Sequence, residues 1–465
     1  MFGRGFESLR LHRNERGLQI IKFAGFFCFP PSLFSLPTTL FLTNGTIPLT
    51  TGSWFNLGLL KIVNFNYSVN QFINFKKNYI MDLAQTLKNN SGNTERQYYL
   101  DWLRVITICL VFLFHCTRFF DADDWHVKNA VVSPVATLFS FFMVQWMMPL
   151  FFFISGASTW FALQSKTGGK FLNDRVKRIL VPLVFGIFIL SPHQVYLERL
   201  THHQFAGSFI DFIPHYFSGM YAFGGNFAWM GLHLWYLLLL FIFSLITLPL
   251  LLLLKRRSAS STKSGVAVAW LLVFVVLLAL PGCLLSPDSI AGSRVWGGWN
   301  IVEHLILFVL GYYAFSMVNI PKTWSAYRYV LLAITALSTA VNIYLFVNNI
   351  RFEFGTLPYF LKIGLRSLVC FAWIFTLLGF AKTRLNHTGK FLKYGNEAVL
   401  PFYILHQPII LLIGYFVVQS QLAIGLKYMV IVIVSLGIVM FCYEFIVKRF
   451  EATRYLFGMG RLRKK

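Results

Sequence analysis

The sequence predicts an all-α, polytopic integral membrane protein with about ten transmembrane helices. Three observations predict it. The 465 residues are 57% hydrophobic with a mean hydropathy of +0.63. Only 12% are charged, against roughly a quarter in a soluble domain. From Asp101 onward, apolar runs recur at close to the roughly 20 residues that a bilayer core requires. The net charge of +24 would point to nucleic acid in a soluble chain. Here the lysines and arginines fall in short loops between apolar runs, so they read as topology signals and no nucleic-acid partner is expected. The six cysteines are scattered without a CxxC pair, which argues against a disulfide framework and against a zinc site; no metal is expected. The 51 Phe and 12 Trp suit lipid-facing and interfacial positions.

Residues 1–90 read as an amino-terminal extension. The apolar stretch 20–42 is interrupted by Pro30, Pro31 and Pro37 and runs into an asparagine-rich tract ending near Asn93, so no span is assigned there. The opening GRGFESLRLHR resembles the peptide made when a bacterial transfer-RNA gene is translated, which predicts that translation starts at Met81; a genuine extension is the alternative. Residues 91–450 form the membrane domain and 451–465 a basic tail. The expected spans are 101–120, 141–163, 179–197, 230–254, 265–286, 300–319, 328–348, 358–381, 397–418 and 425–447, with 133–142 as an interfacial helix or an early part of the second.

Charge fixes the orientation. With the amino terminus cytoplasmic, the inner segments of this count hold 22 Lys plus Arg, and the outer loops hold Lys128, Arg199, Arg294 and Arg351. Both termini are therefore expected in the cytoplasm.

The stretch RQYYLDWLRVITICLVFLFHC at 96–116 carries the first candidate residues. At about 3.6 residues per turn and 1.5 Å rise, Arg104 and His115 share a helix face to within roughly 20° and stand about 16 Å apart along the axis. An ionisable group inside a span persists where it faces the bundle interior or a wet cavity, so His115 is a site candidate, with a packing hydrogen bond as the plain alternative. Arg175 and Arg178, in the inner loop KTGGKFLNDRVKR, are helical neighbours able to grip phosphate with forked donors; any cytoplasmic loop is also basic.

His406 and Gln407 form a second buried polar pair beside Pro408, where a helix frees backbone carbonyls. His233 and Trp235, in HLWYL, sit at the outer end of the fourth span, as Glu303 and His304 do at the sixth. Asp121, Asp123, Asp124, Trp125, His126, His193, Glu198, His202, His203 and His215 add to an outer mouth rich in histidine and carboxylate. In FFFISG at 151–156, Ser155 and Gly156 fit close helix packing, and Ser155 lacks the G-x-S-x-G context of a nucleophile. Arg366 and Glu444 are further intramembrane charges whose partners sequence cannot name. No Walker loop, GxGxxG or metal-spaced histidine pair is present.

Taken together, LDWLR with its histidine, FFFISG, RVKRILVP, HLWYL, FVLGYY and YILHQP resemble the family-3 membrane acyltransferases over residues 99–450. Arg104 and His115 match the family's R-x10-H motif, and Arg175 and Arg178 its RxxR motif. YYLDWLRV, WHVKN and HLWYLLLL are most similar to the branch of glucan O-succinyltransferases, with the O-antigen and exopolysaccharide O-acetylases next. The resemblance implies a ten-span fold in the bacterial inner membrane, lying in the lipid bilayer with no bound cofactor. It would move an acetyl or succinyl group from cytoplasmic acyl-CoA, the co-substrate, to a hydroxyl of an extracytoplasmic carbohydrate.

It also implies His115 as the catalytic group, either as general base or through an acyl-histidine. Arg104, Arg175 and Arg178 are then expected to bind donor, with His233, Trp235, Glu303 and His406 completing the substrate-binding set. One through-going passage is expected to join the basic inner vestibule to His115. A transporter or channel with His115, Glu303 and His406 along its path is the alternative from another class.

Overall fold

The computed structural model describes residues 96–257, 264–317 and 320–460. The extension 1–90 and the expected start at Met81 lie outside the described residues. Helices α1 (Tyr98–Thr117), α2 (Pro134–Val144) and α3 (Met147–Ser165) come first. Ser133 caps α2 by accepting the Ala136 N–H, with Pro134 in the first turn, where no N–H is missed. Next come α4 (Gly168–Leu190) and α5 (Pro192–Thr201), then α6 (Phe209–Tyr216) in the outer loop. They are followed by α7 (Leu232–Ile246), α8 (Leu248–Arg257), α9 (Ser264–Leu284) and α10 (Ile301–Ser316). A short α11 (Ile320–Ala326) leads to α12 (Arg328–Val347), α13 (Leu357–Arg384), α14 (Lys390–Val418), α15 (Ile424–Cys442) and α16 (Glu451–Leu456). Among the described residues the one β-type pairing is a bridge between Met220 and Phe227.

The all-helical membrane architecture stands, and the count of ten is not confirmed among the described residues. Among the described residues, six helical stretches are long and apolar enough to cross, or eight if two bent pairs each count once. Both bends have a chemical cause. α4 and α5 meet at 42° where Pro192 opens the second helix, and α7 and α8 meet at 57° just before Pro249; proline cannot continue the i to i−4 ladder. The expected sixth span is the 16-residue α10, about 24 Å long against a core of about 30 Å. A capping box between Asn300 and Glu303 fixes where it starts. The expected fifth span corresponds to the 21-residue α9.

The outer layer is lipid-facing. Only 28% of the apolar stretch of α12 or α15 is buried, against 56–61% for α1, α2–α3, α13 and α14. Leu337, Tyr344 and Ile433 stand exposed there, as suits helices solvated by hydrocarbon.

At the centre, α3 and α10 cross with backbone against backbone. A Cβ on Gly156 would lie 1.9 Å from the Phe308 carbonyl oxygen, and one on Gly311 would lie 2.0 Å from that of Phe153. Neither position admits a side chain unless the helices part. Gly156→Ala should therefore destabilise the fold by about 1–3 kcal/mol, read as a lower Tm in detergent. Gly437→Ala, with nothing within 4 Å of the new carbon, should leave the Tm unchanged.

Candidate active site

Three hydroxyls on one face of α3 build the inner half of the site. Ser155, Ser158 and Thr159 stand at helical neighbour spacing. Ser158 donates to the Ile154 carbonyl at 2.6 Å and Thr159 to the Ser155 carbonyl at 2.8 Å, which turns their lone pairs outward. Arg104 Nη2 donates to Ser158, and Arg175 Nη2 donates to Thr159 Oγ1 at 2.7 Å. Ser155 Oγ lies 2.6 Å from the Tyr236 hydroxyl. Asp101, one turn earlier on α1, accepts from Arg104 at 3.0 Å and from Arg96 at 2.8 Å. The Arg175 guanidinium lies 4.7 Å from the centre of the Phe171 ring, and its Nε is buried with no partner among the described residues.

Arg104, Arg175 and Arg178 line one cavity of about 210 Å³, whose other walls are mostly apolar, with Ile108, Met148, Phe151, Leu237 and Leu240. After Arg175 the helix widens into a π turn, Val176–Leu180, which contains Arg178; such turns recur at functional sites.

His115 lines a second cavity, of about 120 Å³, with Trp125, His126, Glu198, His233, Trp235 and Gln407. His115 Nδ1 lies 2.9 Å from the Val111 carbonyl. A carbonyl only accepts, so Nδ1 carries the proton and Nε2 is the basic nitrogen, a tautomer assigned from the hydrogen bonds. His406 is oriented likewise: its Nδ1 donates to the Tyr403 carbonyl at 2.7 Å, and its Nε2 lies 3.3 Å from His115 Nδ1, so it shares that proton.

Pro408 explains the next contact. Lacking an N–H, it leaves the Ile404 carbonyl without its helical donor, and His233 Nε2 donates there at 3.2 Å. The Tyr403 hydroxyl donates in turn to the His233 carbonyl.

The expected single passage takes the form of two cavities that share no lining residue. Tyr236 and Tyr403 face the inner one, His233 and Trp235 the outer, and His406 fills the wall between; it is fully buried and contacts His115. Glu303 lines neither. It caps α10 by accepting the Asn300 N–H at 2.8 Å and is ion-paired with Arg366, which also donates to the Gly298 carbonyl at 2.9 Å. Glu303 is thus the partner of Arg366, and a His/Glu path from it through His115 and His406 is not assembled. Glu444 pairs with Lys448 at 3.0 Å.

The loop after α1 is clamped from below. Asp121, fully buried, accepts from Arg118 at 2.5 Å, Lys128 at 2.9 Å and Ser140 at 2.7 Å. Lys128 also donates to the Arg118 and Asp121 carbonyls. The clamp presents Trp125 and His126 to the cavity. His126 Nδ1 is bonded to Glu198, which also accepts the Tyr221 hydroxyl. Burial, reinforced by the Glu198 charge, pushes the Tyr221 hydroxyl well above its usual range, so it stays a donor.

Sequence reasoning placed His126 and Glu198 only among the polar groups of the outer mouth and left Ser158 and Thr159 out. Hydroxyls at spacing three and four along an apolar helix were the available signal.

A family model described as an acyltransferase domain matches residues 97–444, well over half of the chain. The chain belongs to this acyltransferase family. It is similar to Glucans biosynthesis protein C of Escherichia coli (strain SMS-3-5 / SECEC), 22% identical over 386 residues, which cover 79% of this chain and 96% of that protein. Proteins of the same name from Escherichia coli O81 (strain ED1a) and Escherichia coli O157:H7 (strain EC4115 / EHEC) agree to the same extent. No solved structure matches. The protein is accordingly a multi-pass membrane O-acyltransferase.

For this acyltransferase the clamp on the outer loop is testable apart from activity. Asp121→Ala leaves two cations without their shared carboxylate, a loss of about 3–5 kcal/mol where such pairs are buried. The expected result is a lower Tm and faster protease cleavage within 118–133; an unchanged cleavage rate would dismiss the clamp.

Proposed function

We propose that the protein transfers a short acyl group, acetyl or succinyl, from cytoplasmic acyl-CoA to a hydroxyl of an extracytoplasmic envelope carbohydrate. The carrying observation is that α1 holds Arg104 on a basic cavity and His115 on a separate one. The donor's phosphates meet Arg178 and the forked donors of Arg104 and Arg175, and the apolar wall beyond them suits the pantetheine arm. Trp125 and Trp235 give the outer cavity flat faces for a sugar ring. The printed name of the relatives favours a glucan as the acceptor. The excess of inner Lys and Arg supports an inner-membrane protein with both termini cytoplasmic.

In this reading His115 Nε2 takes the proton of the acceptor hydroxyl as its oxygen attacks the thioester carbon. The C–O bond forms, the C–S bond breaks, and the proton passes from the imidazolium to the departing sulfur, giving the CoA thiol. His406 Nε2 and the Val111 carbonyl both face Nδ1–H and stabilise the imidazolium. The Tyr403 to His233 hydrogen bond must open for the acyl group to cross the wall.

His115→Ala should abolish acceptor-dependent CoA release with protein level and membrane insertion intact; retained turnover would remove it from the chemistry. No labelled acyl-protein should accumulate when acceptor is withheld, whereas a labelled His115 would favour the covalent route. Replacing Arg175 and Arg178 together with Ala should raise the donor KM at least tenfold, about 1.4 kcal/mol or more. An unchanged donor KM would leave them as topology signals alone.

A further inference from the structure

The outer cavity holds a second histidine with more polar partners than His115. His126 is 5% exposed and Glu198 6%. Beside His126, the Glu198 carboxylate accepts the Tyr221 hydroxyl and Arg199 Nη1, the latter at 3.2 Å. A carboxylate only accepts, so Nδ1 carries a proton, and the amide donor that faces Nε2 assigns that nitrogen as the acceptor. That Nε2 lies 3.4 Å from the amide nitrogen of Gln407, which also donates to Gln194 Oε1 at 3.2 Å. His126, Glu198, Tyr221 and Gln407 all line the cavity that contains His115. His115 is tied through His406 to the wall facing the donor cavity, whereas the side-chain contacts of His126 are Glu198, Tyr221, Trp125 and Gln407.

The Gln407 N–H that faces His126 Nε2 does so across a long 3.4 Å contact, and a hydroxyl, which both donates and accepts, satisfies both atoms when it enters between them. Resting on the acyltransferase reading above, we propose that His126 and Gln407 bind the acceptor hydroxyl adjacent to the one being acylated, so that His126 selects a carbohydrate diol and fixes which oxygen reacts. His126 Nε2 accepts that hydroxyl's proton as a hydrogen bond, and the Gln407 amide donates to its oxygen. Glu198 acts through His126 and is a positioning residue. A site built to bond a hydroxyl rejects the analogue that lacks it, because its buried atoms are then left unpaired.

The decisive variant is Glu198→Gln. Arg199 can only donate, so it holds the amide oxygen where Glu198 Oε1 sits; the amide then presents an N–H to Nδ1, moves the ring proton to Nε2 and turns the acceptor into a donor, with the ring still in place. The full-length protein is supplied with acetyl-CoA and a glucose oligosaccharide or its monodeoxy analogues, and CoA release is followed. The wild type should lose at least tenfold in kcat/KM on one analogue. Glu198→Gln should raise the KM for the parent sugar about tenfold with the donor KM unmoved, the signature of lost acceptor binding, and should no longer distinguish parent from that analogue. Gln407→Leu, which leaves the loop untouched, should erase the same discrimination.

Variants that keep the wild-type discrimination, or lose turnover with the acceptor KM unchanged, overturn the proposal. If the wild type releases no CoA with any sugar, the acyltransferase reading of the acceptor is what fails. Calorimetric binding of the oligosaccharide then decides the site: binding weakened fivefold or more by Glu198→Gln supports it, and equal or absent binding overturns it.

Discussion

The crossing of α3 and α10 at Gly156 and Gly311 is the contact on which the inner site depends. With no Cβ between the two backbones, α3 is held at a fixed rotation, and the face carrying Ser155, Ser158 and Thr159 is turned toward α1, α4 and α7. Each hydroxyl then places one functional group: Tyr236, Arg104 and Arg175. In an apolar bundle a guanidinium must find acceptors, and hydroxyls whose own protons go to helix carbonyls supply them without adding a second charge. The family signature FFFISG thus combines a packing glycine with the first hydroxyl of an arginine-holding face.

The wall between the two cavities has its own chemical logic. A thioester exposed to both compartments would be open to hydrolysis, and a continuous polar path would leak protons. The wall is made of side chains that bond to one another: Tyr403 to the His233 carbonyl, His233 to the Ile404 carbonyl, His406 to the Tyr403 carbonyl and to His115. Because every bond but the last ends on a backbone carbonyl, the ring tautomers are set by the helices and do not depend on a ligand. Excluding water strengthens the electrostatic interactions within such a site, which favours acyl transfer over hydrolysis.

Much of this was legible in the sequence, for physical reasons that differ from part to part. The spacing of Arg104 and His115 fixes them on one helix at different depths, and RxxR keeps its two arginines on one cavity even though the helix widens after the first. Pro408 was readable as the source of a freed carbonyl; its recipient, His233, lies 171 residues away from Ile404 and was not. The polar pairs all join distant segments: His126 with Glu198 across 72 residues and Gln407 with His126 across 281 at the site, and Arg366 with Glu303 across 63 outside it. Composition marks such groups as expensive but does not say which repays which. Where local chemistry interrupts an apolar run, at Pro192, near Pro249 and at the Asn300 cap, the expected spans take the form of bent pairs and a short helix, because hydropathy averages over breaks that proline and capping impose.

Helix α14 ties the two outer histidines into one unit. Successive residues on a helix diverge by about 100°, so His406 and Gln407 point in different directions, one to His115 in the wall and the other to His126 under the outer loop. Any movement of α14 that displaced His406 from His115 would also move Gln407 against His126. The same helix carries Tyr403, which closes the wall, and Pro408, which frees the carbonyl holding His233. The wall and the His126 contact are therefore mechanically coupled through one helix, and Pro401 and Pro408, each of which removes a ladder bond, are where that helix bends at least cost.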